Sequence, residues 1–119
     1  MIIPDIGIKK LVEDGFLSPG LTIGPSSVDL TLSDSFSWPE PEKDKIILGE
    51  SVPHKQVQKD EFVLEPNHFV LASTAESIRV PHDMAAYVEG RSSIGRLGFQ
   101  VQNVGFIDAG FNEQITLEL

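Results

Sequence analysis

The stretch Val28-Asp29-Leu30-Thr31-Leu32-Ser33 decides the fold class. Its apolar residues alternate with polar ones, and a period of two sends successive side chains to opposite faces of a strand. The alternation returns in Phe99-Gln100-Val101-Gln102 and in Ile115-Thr116-Leu117-Glu118-Leu119. Shorter apolar runs at 62–64, 69–72, 78–80 and 84–88 read as further strands. Gly, Pro, Ser and Asp separate these runs at close intervals, as turns between strands require. One segment near the start has a different period. Ile8, Leu11 and Val12 share a helical face, Asp5 is placed to cap it and Gly15 to end it. Many short strands with little helix predict a mostly β domain, a barrel or sandwich, with a short N-terminal helix.

The chain has 119 residues, enough for one core, and reads as a single domain over 1–119. Pro39-Glu40-Pro41-Glu42-Lys43-Asp44 is short and polar, a surface loop within that domain. Nine basic residues against eighteen acidic give a formal net charge of −9, which argues against a broad nucleic-acid surface. The absence of cysteine removes disulfides, thiolate nucleophiles and Cys-ligated zinc together. No run approaches the roughly 18 apolar residues of a membrane span, and the first residues lack the basic and apolar regions of a signal peptide. A cytoplasmic protein without a membrane partner is the expectation. The alternation at 115–119 stops in mid-strand, so the chain is expected to be cut at its C-terminus.

Four places can carry chemistry. In Glu89-Gly90-Arg91-Ser92-Ser93-Ile94-Gly95-Arg96-Leu97-Gly98, Ser92 or Ser93 can cap a short helix that Gly98 closes. A helix N-terminus receives phosphate, Arg91 beside it adds a planar fork, and Ser92 and Arg96 share one face at i, i+4. The plainer reading is a capped surface turn with solvated arginines. In Gly105-Phe106-Ile107-Asp108-Ala109-Gly110-Phe111, two glycines flank a carboxylate, either to hold Asp108 in place or to make an ordinary turn. Glu118 shares a strand face with Thr116, where a carboxylate can transfer protons or simply meet solvent. Asp29, in Pro25-Ser26-Ser27-Val28-Asp29-Leu30, can hold a water or metal ion or face solvent. His54, His68 and His82 stand far apart and make no ligand motif.

Taken together, the segment 89–98, then Gln102-Asn103-Val104-Gly105-Phe106-Ile107-Asp108-Ala109-Gly110-Phe111, then Gln114-Ile115-Thr116-Leu117-Glu118 resemble the dCTP deaminases, a family of the trimeric dUTPase superfamily. Pro25-Ser26-Ser27-Val28-Asp29-Leu30 resembles that superfamily's first motif. The resemblance implies a distorted jelly-roll subunit, a homotrimer with nucleotide sites between subunits, and hydrolytic deamination of dCTP to dUTP and ammonia. It places Glu118 on the catalytic acid/base, and Ser92 and Arg96 on the residues that support the water and the base. It places the run Arg91, Ser92, Ser93, Ile94, Gly95 and Arg96 on the triphosphate, Asp108 near the deoxyribose, and Thr116 and Leu117 beside Glu118 along the nucleotide.

Zinc-dependent nucleobase deaminases need His and Cys ligands that this chain lacks, so the expected reaction is zinc-independent. Mg²⁺ is expected to arrive with the triphosphate, with no direct protein ligand and Asp29 contacting it through water. The 102–108 stretch is similar to the subgroup that also hydrolyses dUTP to dUMP and pyrophosphate. A plain dUTPase is the alternative within the superfamily, although such enzymes usually have Arg-Ser-Gly where this chain has Arg91-Ser92-Ser93. A catalytically silent nucleotide-binding regulatory trimer is the alternative from another class. Glu113 stands where many relatives carry Gly, and the relatives are longer, with a C-terminal tail that closes over the nucleotide.

Overall fold

The computed structural model describes residues 1–42, 44–102 and 105–119. Lys43 of the expected surface loop, and Asn103 and Val104 of the family-like stretch, lie outside the described residues. The elements run α1 (Asp5–Glu13), β1 (Leu32–Pro39), β2 (His54–Gln58), β3 (Leu71–Arg79), β4 (Ala86–Tyr87), α2 (Ser92–Gly95), β5 (Phe106–Ile107) and β6 (Asn112–Glu118). Strands dominate and the longer helix comes first, as the periodicities predict. Among the described residues an antiparallel sheet of order β2-β1-β3-β6 and a small β4-β5 ribbon form, and the two do not close into a barrel.

The N-cap of helix α1 lies one residue earlier than expected. Pro4 is the N-cap, with extended backbone and no side-chain cap bond, and Asp5 is the first helical residue. The Asp5 carboxylate accepts a 2.6 Å bond from Lys9 Nζ one turn on, an i, i+4 pair. That hydrogen bond, with the Lys9 charge, holds the Asp5 carboxyl below its ordinary value. Gly15, at φ +77°, ends the helix as read, because few residues other than glycine enter the left-handed region freely.

The 28–33 alternation is a strand only at its end. Val28 bridges Ile23 across a tight turn at Pro25, and the ladder of β1 begins at Leu32. The apolar run at 62–64 forms no strand. Phe62 instead stacks on Phe36 at 4.6 Å and leans on Trp38, so its apolar character serves packing. The 99–102 alternation is reduced to one bridge, Gln102 to Glu118. The runs at 69–72 and 78–80 fuse into the single long strand β3, and 84–88 narrows to the two residues of β4. Strand β2 carries mostly exposed polar residues and gives no alternating apolar pattern.

Two small cores flank the long strands. Ile78, Val80, Ile107 and Ile115 pack together at one end, with Leu30, Met84 and Phe111 against them. Phe36, Val70 and Ala72 form the other, covered by Trp38, Phe62 and Leu119. The second of these places the end of β6 against packed apolar surface, and so fixes the backbone beside Glu118.

Candidate functional site

The Arg91 to Gly98 segment is exposed throughout and lies between β4 and β5 in the chain. Arg91 itself is the N-cap of α2, and no side chain makes a cap hydrogen bond. Ser92 and Ser93 are therefore the first helical residues rather than caps. Their hydroxyls are left for other partners, and the helix is only one turn long. Its turn is closed by Gly95 N donating to Arg91 O at 3.0 Å and Arg96 N to Ser92 O at 3.0 Å. Gly98, at φ +83°, terminates it, as the sequence predicts.

Arg91 reaches back to the first motif. Its guanidinium lies 3.4 Å from the Asp29 carboxylate. Spacing along the chain gave no sign of this pair, because the two residues belong to segments far apart in sequence. Asp29 also has its backbone fixed, donating from N to Thr22 O at 3.0 Å. The arrangement gives Arg91 an anionic neighbour that sets where its fork points, and leaves the side chain largely in solvent.

Asp108 sits at an exposed turn between β5 and β6. Only one of its two flanking glycines makes that turn. Gly110 has φ +84°, and a Cβ there would lie 2.8 Å from His82 Cε1. Gly105 has no positive φ and no close neighbour at its Cβ position, so it is not needed for the conformation. The turn is tied to the end of β3: Gly110 N donates to Val80 O, and Val80 N to Phe111 O, both at 2.9 Å. His82 thus has a packing role against Gly110.

Glu118 ends β6 between two neighbours. It pairs with Leu71 of β3 on one side, and its carbonyl accepts from Gln102 N at 2.7 Å on the other. Through that second bond the chain leaving α2 is joined to the end of β6. Thr116 pairs with Ser73 on the same face as Glu118, while Leu117 pairs with Ala72 on the opposite face and packs toward the core. Glu118 is half-buried and Thr116 exposed. Glu113 is exposed in β6 opposite Ile78.

Among the described residues no three His, Asp or Glu side chains gather as a metal-binding group. A cavity of about 210 Å³ lies between β1 and the 60–64 segment, lined by Leu32, Phe36, Phe62, Val70, Phe99 and Leu119 among others. It contains none of the predicted site residues, and it falls below the roughly 300–1,000 Å³ of ordinary ligand pockets. Asp108 and Glu118 instead lie apart along β6, with Asp108 at the turn before it beside Val80 and Glu118 at its far end opposite Leu71, while Leu117 packs toward the core.

A mostly β chain with this ordered set of exposed arginines, hydroxyls and strand-borne carboxylates matches one family. The model of the dCTP deaminase-like family covers residues 2–119, and the chain belongs to that family. It is 50% identical over 119 residues to a protein of Hydrogenobaculum sp. named dCTP deaminase, dUMP-forming, covering 99% of this chain and 66% of that one. Proteins of the same name from Persephonella marina and Sulfurihydrogenibium sp. are 44% and 42% identical, each over 99% of this chain and 71% of the relative. No helix is long and apolar enough to cross a membrane among the described residues.

Proposed function

We propose that this protein deaminates dCTP and hydrolyses the resulting dUTP, giving dUMP, pyrophosphate and ammonia. The observation that carries the reading is the family match over residues 2–119, with relatives named as dUMP-forming dCTP deaminases.

In the first step a water oxygen bonds to C4 of the cytosine and the C4–amine bond breaks. One water proton ends on ring N3 and the other leaves with the amine as ammonia. Glu118 moves both, taking each proton and returning it, as a single carboxylate on a rigid strand can. Ser92 and Arg96 support the water and the base. Arg91, with the 92–96 turn, binds the triphosphate through its guanidinium fork. The second step acts at the α-phosphate, near the sugar, where Asp108 is assigned. The two chemistries then occupy different ends of one bound nucleotide.

Mg²⁺ belongs to the triphosphate in this account. Asp29, which faces Arg91, would meet the ion through water. Bound there, the ion neutralises phosphate charge. The deamination is proposed as zinc-independent, and stoichiometric zinc whose removal abolishes ammonia release would contradict that.

The working unit is proposed as a homotrimer in the cytoplasm. One fact supports an assembly: the 91–98 segment and Asp108 are exposed in a single chain. Sedimentation of the full-length protein as a monomer at micromolar concentration would count against it.

Glu118→Gln in full-length protein tests the chemistry. Ammonia release should fall by about 10²–10⁴-fold, with dCTP binding retained, because Gln keeps the shape and cannot shuttle protons. Near-normal turnover would remove Glu118 from the mechanism.

A further inference from the structure

The pairing of β3 with β6 changes register in its middle. At one end Arg79, Ile78 and Ser77 face Asn112, Glu113 and Gln114; at the other Ser73, Ala72 and Leu71 face Thr116, Leu117 and Glu118. Between these blocks Thr74, Ala75 and Glu76 of β3 lie opposite Ile115 alone. Had the first register continued, Glu118 would stand opposite Ser73. The bulge moves it two residues along, to Leu71, a displacement of about 7 Å at the usual rise. An even displacement keeps each side chain on its original face, so Glu118 changes position without turning over.

A bulge leaves backbone groups without ladder partners, and here one buried hydroxyl supplies them. Thr74 is 2% exposed and is the one buried polar residue among those described. Its Oγ1 donates to Glu76 O at 2.8 Å and accepts from Ile115 N at 2.9 Å. Gln114 Nε2 donates to Ala75 O at 3.2 Å. The other edge is closed as well: Ala75 N donates to Thr31 O at 2.8 Å, and the Glu76 carboxylate accepts from Thr31 N and Thr31 Oγ1. Strand β1 has a matching irregularity, with 33–35 opposite Ser73 and the Ser33 and Ser73 hydroxyls 2.7 Å apart.

We propose that Thr74 is a positioning residue, whose hydroxyl holds the β3 bulge and thereby sets where Thr116 and Glu118 lie against a bound nucleotide. The proposal rests on the assignment of Glu118 above and deepens it. Valine has nearly the shape of threonine and lacks the hydroxyl, so Thr74→Val leaves the buried Ile115 N and the part-buried Glu76 O without that partner. A residue that merely stabilises the fold would lower stability and leave kcat unchanged once the protein is folded. A positioning residue lowers kcat and spares KM, since a small misplacement of a reacting group is costly in rate.

The experiment measures deamination kinetics of full-length wild type, Thr74→Val, Thr74→Ser and Glu118→Gln, well below their melting temperatures. Expected are a kcat lowered about 10–100-fold in Thr74→Val with KM within about twofold, and recovery in Thr74→Ser, which restores the hydroxyl. Hydrogen exchange at the Ile115 amide should accelerate in Thr74→Val and not in Thr74→Ser. Folded Thr74→Val with wild-type kcat, beside an inactive Glu118→Gln, overturns the proposal and leaves the Glu118 reading standing. An active Glu118→Gln overturns both. If Thr74→Val does not fold, Gln114→Ala removes an exposed partner of the same bulge. A kcat lowered about threefold is then expected, and an unchanged kcat overturns the proposal.

Discussion

The Arg91 guanidinium rests 3.4 Å from Asp29 with both side chains substantially in solvent. Exposed ion pairs contribute about 0–1 kcal/mol, so this one orients the fork without committing it. A triphosphate can take over the guanidinium at little expense to the fold. Arg91→Ala should weaken dCTP binding by about 10–100-fold, as expected for loss of one charge-assisted contact, and leave deoxycytidine binding nearly unchanged. Calorimetric titration with both ligands checks this, and an equal loss for nucleoside and triphosphate would contradict a phosphate role. At this scale the sequence exposed the residue types but not their partners. The place of Arg91 before Ser92 and Ser93 suggested the phosphate role that is proposed for it. Its contact with Asp29 was not legible, because pairing between distant segments leaves no periodic trace. The glycines beside Asp108 looked equivalent in sequence, yet only Gly110 takes up a left-handed conformation, against His82.

Strand β3 shows why elements were read less fully than the fold class. Its apolar ends at 71–72 and 78 gave two separate strand patterns, and Ser73-Thr74-Ala75-Glu76-Ser77 broke the alternation between them. That polar interruption is the bulge, where hydroxyls and a carboxylate replace ladder bonds. Strand β2 was invisible because His54-Lys55-Gln56-Val57-Gln58 lies at a solvated sheet edge and needs no apolar face. The run at 62–64 failed in the opposite sense, since Phe62 and Leu64 cap a core without joining a sheet, while Val63 faces solvent.

The bulge also carries a pH dependence. Partial burial pushes the Glu76 carboxyl up, but hydrogen bonds from the Thr31 side chain and backbone outweigh it, and the net value lies below the ordinary 4.5. The folded state therefore binds this proton less readily than the unfolded state. The stabilisation is present above about pH 4.5 and is lost as pH falls through the folded-state value. Glu76→Gln should cost about 1 kcal/mol at pH 7 and differ less from wild type at pH 3. Urea unfolding at the two pH values measures it. A difference as large at pH 3 as at pH 7 would assign the effect to packing.

At the scale of the whole molecule, most of the proposed site residues, the 91–96 turn and Asp108 among them, are exposed. Leu97 and Phe106 are 81% and 79% exposed, close in sequence to the 91–96 turn and to Asp108. Exposed large apolar residues beside an open site agree with the proposed assembly, in which neighbouring subunits cover them. The mostly β class was legible because two-residue alternation survives in even short strands. The arrangement of the sheets was not, because order and closure depend on contacts between segments. One protein is proposed to remove the amine of dCTP and then to cleave the triphosphate. The most direct test is a chromatographic time course of labelled dCTP with full-length protein, following dUTP, dUMP and pyrophosphate alongside ammonia. Expected are dUMP, pyrophosphate and ammonia in equal amounts, with little free dUTP at any time. Stoichiometric accumulation of dUTP, with added dUTP left intact, would contradict the second activity, and unconsumed dCTP would contradict the first.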